Sequence, residues 1–408
     1  MQRQTLWAIA VVLLLGIVLA REPRFKIAEQ NFLHWLLVNS TPHGEVPLVV
    51  MEIGADKLEK PDESQNTSDA FVRGTPSSIS PLEFALFLQS ILDYNPPLLA
   101  FESILRWRER DKDQEQVFLD QAMRAPRLLL ATELTATPEP DAPMQEFSTF
   151  TKVSGKRGAL AEFSGVLRQP SEDLRLISTP GFINLPDEVT EDIRVPLLFQ
   201  FRGEVIPSFP LQAIMIWLRV NPSEVKIELG SYIELPKNRR IPIARDGSLL
   251  INPNAAKLAR RYGMNEFLYN VQQHDKSLDR LSKSIILTRT PSNPLAPPDV
   301  YAATIATLLS DRYVHRVSHL FDFFVVVLIF AGSLWARRFA KFDIVLIAIA
   351  FSAAYCLIAL TAMSRANLWL PGVLPLTVVW LLVLAALVRR RPETAARRSQ
   401  IMASPPAP

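Results

Sequence analysis

Four long apolar runs, at residues 6–20, 320–336, 342–362 and 368–388, limit what this chain can fold into more than any other feature. A helix needs about 20 apolar residues to cross a hydrocarbon core ~30 Å thick. The last two runs, at 21 residues each, meet that requirement. The run at 320–336 carries Asp322 near its start and stops at Arg337 and Arg338, so it reads as a span whose first turn lies in the interface. The first run is shorter, about 22 Å as a helix. Arg3 and Arg21 can snorkel from its ends, which favours an uncleaved anchor at 5–21. Val18-Leu19-Ala20 leaves a cleaved signal as the alternative, and the chain that follows is exported in either case.

Basic residues set the orientation. Arg337, Arg338 and Lys341 crowd the loop after the second run, and Arg389, Arg390, Arg391, Arg397 and Arg398 follow the last. By the positive-inside rule both segments are cytoplasmic. The loop at 363–367 holds only Arg365 and faces outward, as does everything from Arg21 to about His319. The expected organisation is an N-terminal anchor at 5–21, an extracytoplasmic domain at 22–319, a three-helix transmembrane region at 320–388 and a short basic, Pro-rich tail at 389–408. Both termini are then cytoplasmic, in a multi-pass protein of the cell (inner) membrane. The tail is too short and polar to bury a core, so a cytoplasmic output must come from elsewhere.

Composition narrows the function classes. The chain is 49% apolar and 21% charged, with a net charge of +3 that is too small for a nucleic-acid binder. With only 14 glycines there is no glycine-rich phosphate loop, and with one cysteine, Cys356, there is no intramolecular disulfide or cysteine-based zinc cluster. Gly-x-Ser-x-Gly, His-Glu-x-x-His, Walker and Gly-x-Gly-x-x-Gly signatures are also missing, which points away from an enzyme and implies no cofactor.

In the exported region short apolar runs alternate with longer amphipathic ones: 47–53, 82–92, 98–101, 117–123 and 128–132. That βαβαβ rhythm predicts an α/β fold, a layered domain with a largely parallel or mixed sheet flanked by helices, besides the one N-terminal and three C-terminal transmembrane helices. Ser80-Pro81-Leu82-Glu83 is a helix start with proline at the first helical position. The segments 57–75 and 135–158 read as loops. Further on, 194–201, 226–235 and 284–288 read as strands, 208–220 as a helix and 254–262 as a short helix. Asn221-Pro222-Ser223-Glu224 is either a helix start or a turn into a strand. A last helix opens at Tyr301 and runs toward the membrane.

These residues resemble the type-two CHASE domain, the extracytoplasmic sensor of bacterial receptor cyclases and kinases. The likeness is carried by Leu48-Val49-Val50-Met51-Glu52-Ile53, the Ser-Pro-capped helix and Pro97-Leu98-Leu99-Ala100-Phe101-Glu102. It continues through Phe118-Leu119-Asp120-Gln121-Ala122 before Leu128-Leu129-Leu130, Gly181-Phe182-Ile183-Asn184 before Arg194-Val195-Pro196-Leu197, and Ile285-Ile286-Leu287 before the helix at Tyr301. It covers roughly residues 25–319, and one span before with three after is also the family's layout. The chain departs from the family in having Glu102 for an aspartate, Thr288-Arg289-Thr290 for a glycine-rich turn, and Tyr301 for a histidine. The resemblance implies a periplasmic sensory domain and signal transduction to a cytoplasmic output.

Candidate ligand-binding residues follow from strand ends. Glu52, Glu102 and Glu133 each close an apolar strand, and Arg289 follows the last one. Ligands of open α/β sheets bind beyond the carboxyl ends of the strands, so these side chains are expected to converge, binding a cation or amine or holding Arg289 in a salt bridge. The opposing reading is of strand ends solvated or paired one by one. His315 and His319 stand four apart, on one face if the segment is helical, but two nitrogens with no nearby acid do not make a metal site. Together these features predict a membrane-anchored extracytoplasmic sensory or ligand-binding protein that signals through its transmembrane helices. Its expected partners are the lipid bilayer and a membrane or signalling protein or a second copy in a homo-oligomer, with no nucleic acid and no metal. The alternative is a structural or scaffolding subunit of a cell-envelope complex.

Overall fold

The computed structural model describes residues 23–53, 79–107, 111–138, 147–186, 194–290, 299–336 and 340–388. The first apolar run, the loop at 57–75 and the basic tail lie outside the described residues. The chain divides into two compact units, Thr41–Val314 and a second built from the segments on either side of it. Helix α1 (Pro23–Asn39) belongs to that second unit, so the compact unit Thr41–Val314 is narrower at both ends than the domain expected at 22–319.

Within Thr41–Val314 the strands β1 (Leu48–Glu52), β2 (Leu98–Phe101), β3 (Leu128–Thr135), β4 (Gly165–Arg168), β5 (Thr179–Phe182), β6 (Arg260–Gly263) and β7 (Ile285–Arg289) form one seven-stranded sheet. Its order is β6-β1-β7-β2-β3-β5, with β4 pairing the far end of β3. Every pairing is parallel except β3 with β4. Helices α2 (Pro81–Leu92), α3 (Lys112–Ala122), α4 (Glu172–Ile177), α5 (Phe209–Leu218), α6 (Met264–Gln272) and α7 (Val300–Ser310) cover its two faces.

Side chains alternate across a strand, and here both sides are apolar. Leu48, Val50, Leu98, Ala100, Ile285 and Leu287 pack with α5 and α7. Val49, Met51, Leu99, Phe101 and Ile286 pack with α2, α3, α4 and α6. On the second face Phe84, Phe101, Trp107 and Phe118 meet edge to face, with ring centroids 5.3–6.1 Å apart. Helix α2 starts as its sequence predicts: Pro81 is its first residue and the Ser80 hydroxyl accepts the Leu82 N–H at 3.2 Å.

Several local readings need correction. The run at 194–201 is two strands in different sheets, Arg194–Pro196 and Leu198–Phe201, because Pro196 has no N–H to continue a ladder. The run at 226–235 folds back on itself: Gly230, at φ +84°, turns Lys226–Glu228 into the antiparallel strand Tyr232–Leu235. Asn221–Glu224 is the turn into that strand, with one 3-10 turn at Pro222–Glu224. Lys152–Ser154, in the expected loop at 135–158, joins the same four-stranded sheet. At 254–262 a 3-10 turn (Pro253–Leu258) gives way to strand β6, whose Tyr262 is buried against the α2 face.

Helix α7 does not run on toward a span. It ends at Ser310, and Asp311 turns left-handed at φ +53°. Arg239 closes the helix by donating to the Leu308 carbonyl and to Asp311 Oδ1. His315 then lies in a two-residue strand, His315–Arg316, and His319 opens another helix, so the two imidazoles do not share a helical face.

The second unit contains α1, α8 (His319–Ala336), α9 (Lys341–Ala366) and α10 (Val373–Val388). Among the described residues α9 alone is long and apolar enough to cross a bilayer. Helices α8 and α10, at 18 and 16 residues, reach only about 27 and 24 Å. The last apolar run becomes helical at Val373 and not at Leu368, because Leu368–Trp369 pairs with His315–Arg316 and Pro371-Gly372 intervenes. Cys356 is half-buried in α9.

One carboxylate joins α1 to this bundle. Glu29 accepts the backbone N–H groups of Gly372 (3.1 Å) and Val373 (3.0 Å), the free donors opening α10, and the Trp369 indole N–H at 3.3 Å. Burial pushes its pKa up despite those donors. The Phe32 ring occupies the space a side chain at residue 372 would need, 2.3 Å from an added Cβ. Gly372→Ala therefore displaces the Phe32 ring and loosens the packing of α1 on α10, at a cost of about 1–3 kcal/mol. The expected result is faster amide hydrogen exchange across Pro23–Asn39 in the detergent-solubilised full chain, while Gly158→Ala, with open space at its Cβ, leaves exchange unchanged.

Candidate functional site

The parallel strands bring their carboxyl ends to one edge, and the period of two decides what gathers there. In β1 the residues Leu48 and Val50 face α5 and α7, so Glu52 faces them too. Ile285 and Leu287 place Arg289 on the same face of β7. Phe101 points to the opposite face and turns Glu102 toward α7, while Tyr262 does the same for Arg261 in β6. Register then aligns them: Glu52 stands opposite Arg289, Val50 opposite Arg261, and the Glu102 N–H donates to the Thr288 carbonyl.

The result is a chain of charges across four adjacent strands. Arg289 Nε lies 3.3 Å from Glu102 Oε1, and its Nη1 lies 2.6 Å from Asp299 Oδ1. Arg261 Nη2 reaches the same Asp299 oxygen at 2.6 Å, and its Nη1 lies 3.5 Å from Glu52 Oε1. Glu102 is the deepest member, its side chain 4% exposed, while Arg261, Glu52 and Asp299 are each about a third exposed. The cluster is thus buried at Glu102 and open to solvent at the other end.

Burial dominates the chemistry of Glu102. Loss of water around the carboxylate pushes its pKa from near 4.5 up to about 7; Arg289 and Arg261 pull it down, and Asp299 and Glu52 push it further up. Tyr301, at the start of α7, is buried beside it, and its hydroxyl donates to the Ile183 carbonyl at 2.5 Å. Burial, then Glu102 and Glu133, hold that phenol well above its ordinary range.

Of the four residues expected to converge, three do. Glu52, Glu102 and Arg289 belong to one network, in which Arg289 is held in a salt bridge. Glu133 does not join it. Strand β2 separates β3 from β7, and the antiparallel β4 supplies Glu133 with its own partner, Arg168, whose Nε donates to Glu133 Oε2 at 2.5 Å. Sequence reasoning missed Arg261 and Asp299. Arg261 was hidden in a segment read as helical, whereas Asp299, an aspartate just before an apolar helix, carried a readable N-cap signal. No group of histidine, cysteine, aspartate and glutamate among the described residues is arranged to hold a metal ion. The shallow concavity on the four-stranded sheet, bounded by Lys152, Ser154, Lys226, Glu228 and Tyr232, contains none of the network residues.

The sequence matches no protein family, and it is similar to no curated protein and no solved structure.

The raised pKa of Glu102 fixes a sign. A carboxyl whose pKa is higher folded than unfolded binds its proton more tightly in the folded state, so stability falls as pH rises from about 4.5 to about 7 and is flat above. The slope from one such group is at most ~1.4 kcal/mol per pH unit. Glu102→Gln removes it. Melting temperatures of the full chain from pH 5 to pH 8 are expected to fall more steeply for the wild type than for the variant; parallel profiles would contradict the assignment.

Proposed function

We propose that this chain is a membrane-anchored extracytoplasmic sensory or ligand-binding protein of the type-two CHASE kind. In this reading α9 spans the bilayer unaided, the shorter α8 and α10 and the apolar run at 6–20 span it with local thinning of the bilayer, both termini are cytoplasmic, and the signal passes to a partner protein. In this reading it binds and does not catalyse. The observation that carries it is the Glu52–Arg261–Asp299–Arg289–Glu102 network, which lies where open α/β sheets bind ligands and leads from solvent to a buried carboxyl.

A ligand acts only through different affinities for two arrangements of the protein. Asp299 immediately precedes α7, which is apolar and buried over most of its length and ends at Ser310, close to the end of the exported unit at Val314. A change in what Asp299 binds is therefore transmitted along one rigid helix toward the segment that leaves the domain.

Purification of the native full chain in mild detergent, with every co-purifying protein identified by mass spectrometry, tests the proposal. A stoichiometric kinase, cyclase or phosphatase, lost or altered in Glu102→Ala, is the expected result. A stoichiometric envelope assembly with no signalling enzyme would overturn it in favour of a structural subunit.

A further inference from the structure

The charge network has a feature that simple strand-end pairing does not require: two guanidinium groups converge on one oxygen of one carboxylate. Arg261 Nη2 and Arg289 Nη1 both lie 2.6 Å from Asp299 Oδ1. Arginine pairs of this kind match the planar fork of a carboxylate. Both contacts fall on the same carboxylate oxygen, Asp299 Oδ1, so one small carboxylate group engages both arginines at once.

Asp299 is also diverted from the role its position suggests. It stands at the N-cap of the 11-residue helix α7, where aspartate ordinarily accepts a free backbone N–H of the first turn. Here its side chain makes no capping hydrogen bond, and its backbone sits left-handed at φ +70°. Its carboxylate thus has two alternative sets of donors, the two guanidinium groups or the opening amides of α7. An outside carboxylate on the arginines would free Asp299 for the second set.

Charge balance favours the same exchange. Arg289, with its side chain 15% exposed, needs a counter-charge beside it, and Glu102 is an incomplete one because burial holds it partly protonated near neutral pH. Asp299 supplies what is lacking, and a second carboxylate in its place supplies it equally.

We propose that Arg261 and Arg289 form a binding site for a small carboxylate, and that Asp299 is its built-in competitor, displaced when the ligand binds. The site takes a free organic acid with the carboxylate on the two guanidiniums, and displacement resets the N-terminus of α7. This rests on the ligand-binding reading above and adds the ligand's class to it.

The test uses the full chain in detergent, with the melting temperature followed against sodium acetate and sodium succinate, and against sodium chloride, sodium sulfate and methylammonium chloride at equal ionic strength. Asp299→Asn keeps the shape and the left-handed tolerance but removes the competing charge. It is expected to tighten acetate and succinate binding about tenfold or more over wild type, since the arginine pair no longer has an internal occupant. Arg261→Gln in the Asp299→Asn background is expected to abolish the gain; Arg261 is partly exposed, and its replacement leaves the buried Glu102–Arg289 contact in place. The proposal is overturned if Asp299→Asn binds no tighter than wild type, if binding survives Arg261→Gln, or if sulfate or methylammonium binds as well as acetate. Such results remove the ligand class and leave the sensory reading to the partner-capture experiment, whose outcome does not depend on them.

Discussion

Everything distinctive about the Thr41–Val314 unit depends on one constraint, that parallel strands end together and their side chains alternate with a period of two. A parallel sheet buried on both faces has almost no place for charge except its ends. Glu52, Glu102, Arg261 and Arg289 reach the same edge and the same face because each follows its strand's buried residues in step. The alternation that fills two apolar layers also delivers four charges to one place. A one-residue register slip in any of these strands would send its charged residue to the α2 face and leave the others short of a partner.

Desolvation then sets the character of the network. Bringing Glu102 and Arg289 out of water is expensive, and their mutual attraction repays that cost only when the remaining donors and acceptors are also met. Asp299 and Arg261 continue the chain outward to solvent, so the burial cost falls mainly on one end. An apolar pair of the same volume would hold the strands together as well, without a buried carboxyl whose pKa desolvation raises. In the second unit the same physics is used differently. Glu29 is a half-buried carboxylate satisfied by the opening amides of α10, which ties α1 to the bundle.

Much of this was legible in the residues. The rhythm of β1, α2, β2, α3 and β3 was plain because each apolar run is short, bounded and followed by an amphipathic helix. Strand-end acids could be named because the strands themselves could. Legibility failed where the signal was not local. Arg260-Arg261-Tyr262 has too few apolar residues to look like a strand, and only pairing with β1 makes it one. Glu133 was misplaced because its neighbour across the sheet, β4, is antiparallel and distant in sequence. The end of α7 was misjudged because the cap comes from Arg239, 69 residues away from the carbonyl it satisfies.

The central claim is that the network acts as one unit across β6, β1, β7 and β2, and a double-mutant cycle measures this directly. Arg261 and Glu102 are linked through Asp299 and Arg289. If the four are coupled, Arg261→Gln and Glu102→Gln will be non-additive in the stability of the full chain, by about 0.5–3 kcal/mol, while Arg168→Gln combined with Glu102→Gln will add within roughly 0.5 kcal/mol. Additivity of Arg261→Gln with Glu102→Gln would mean independently paired strand ends and would contradict the account.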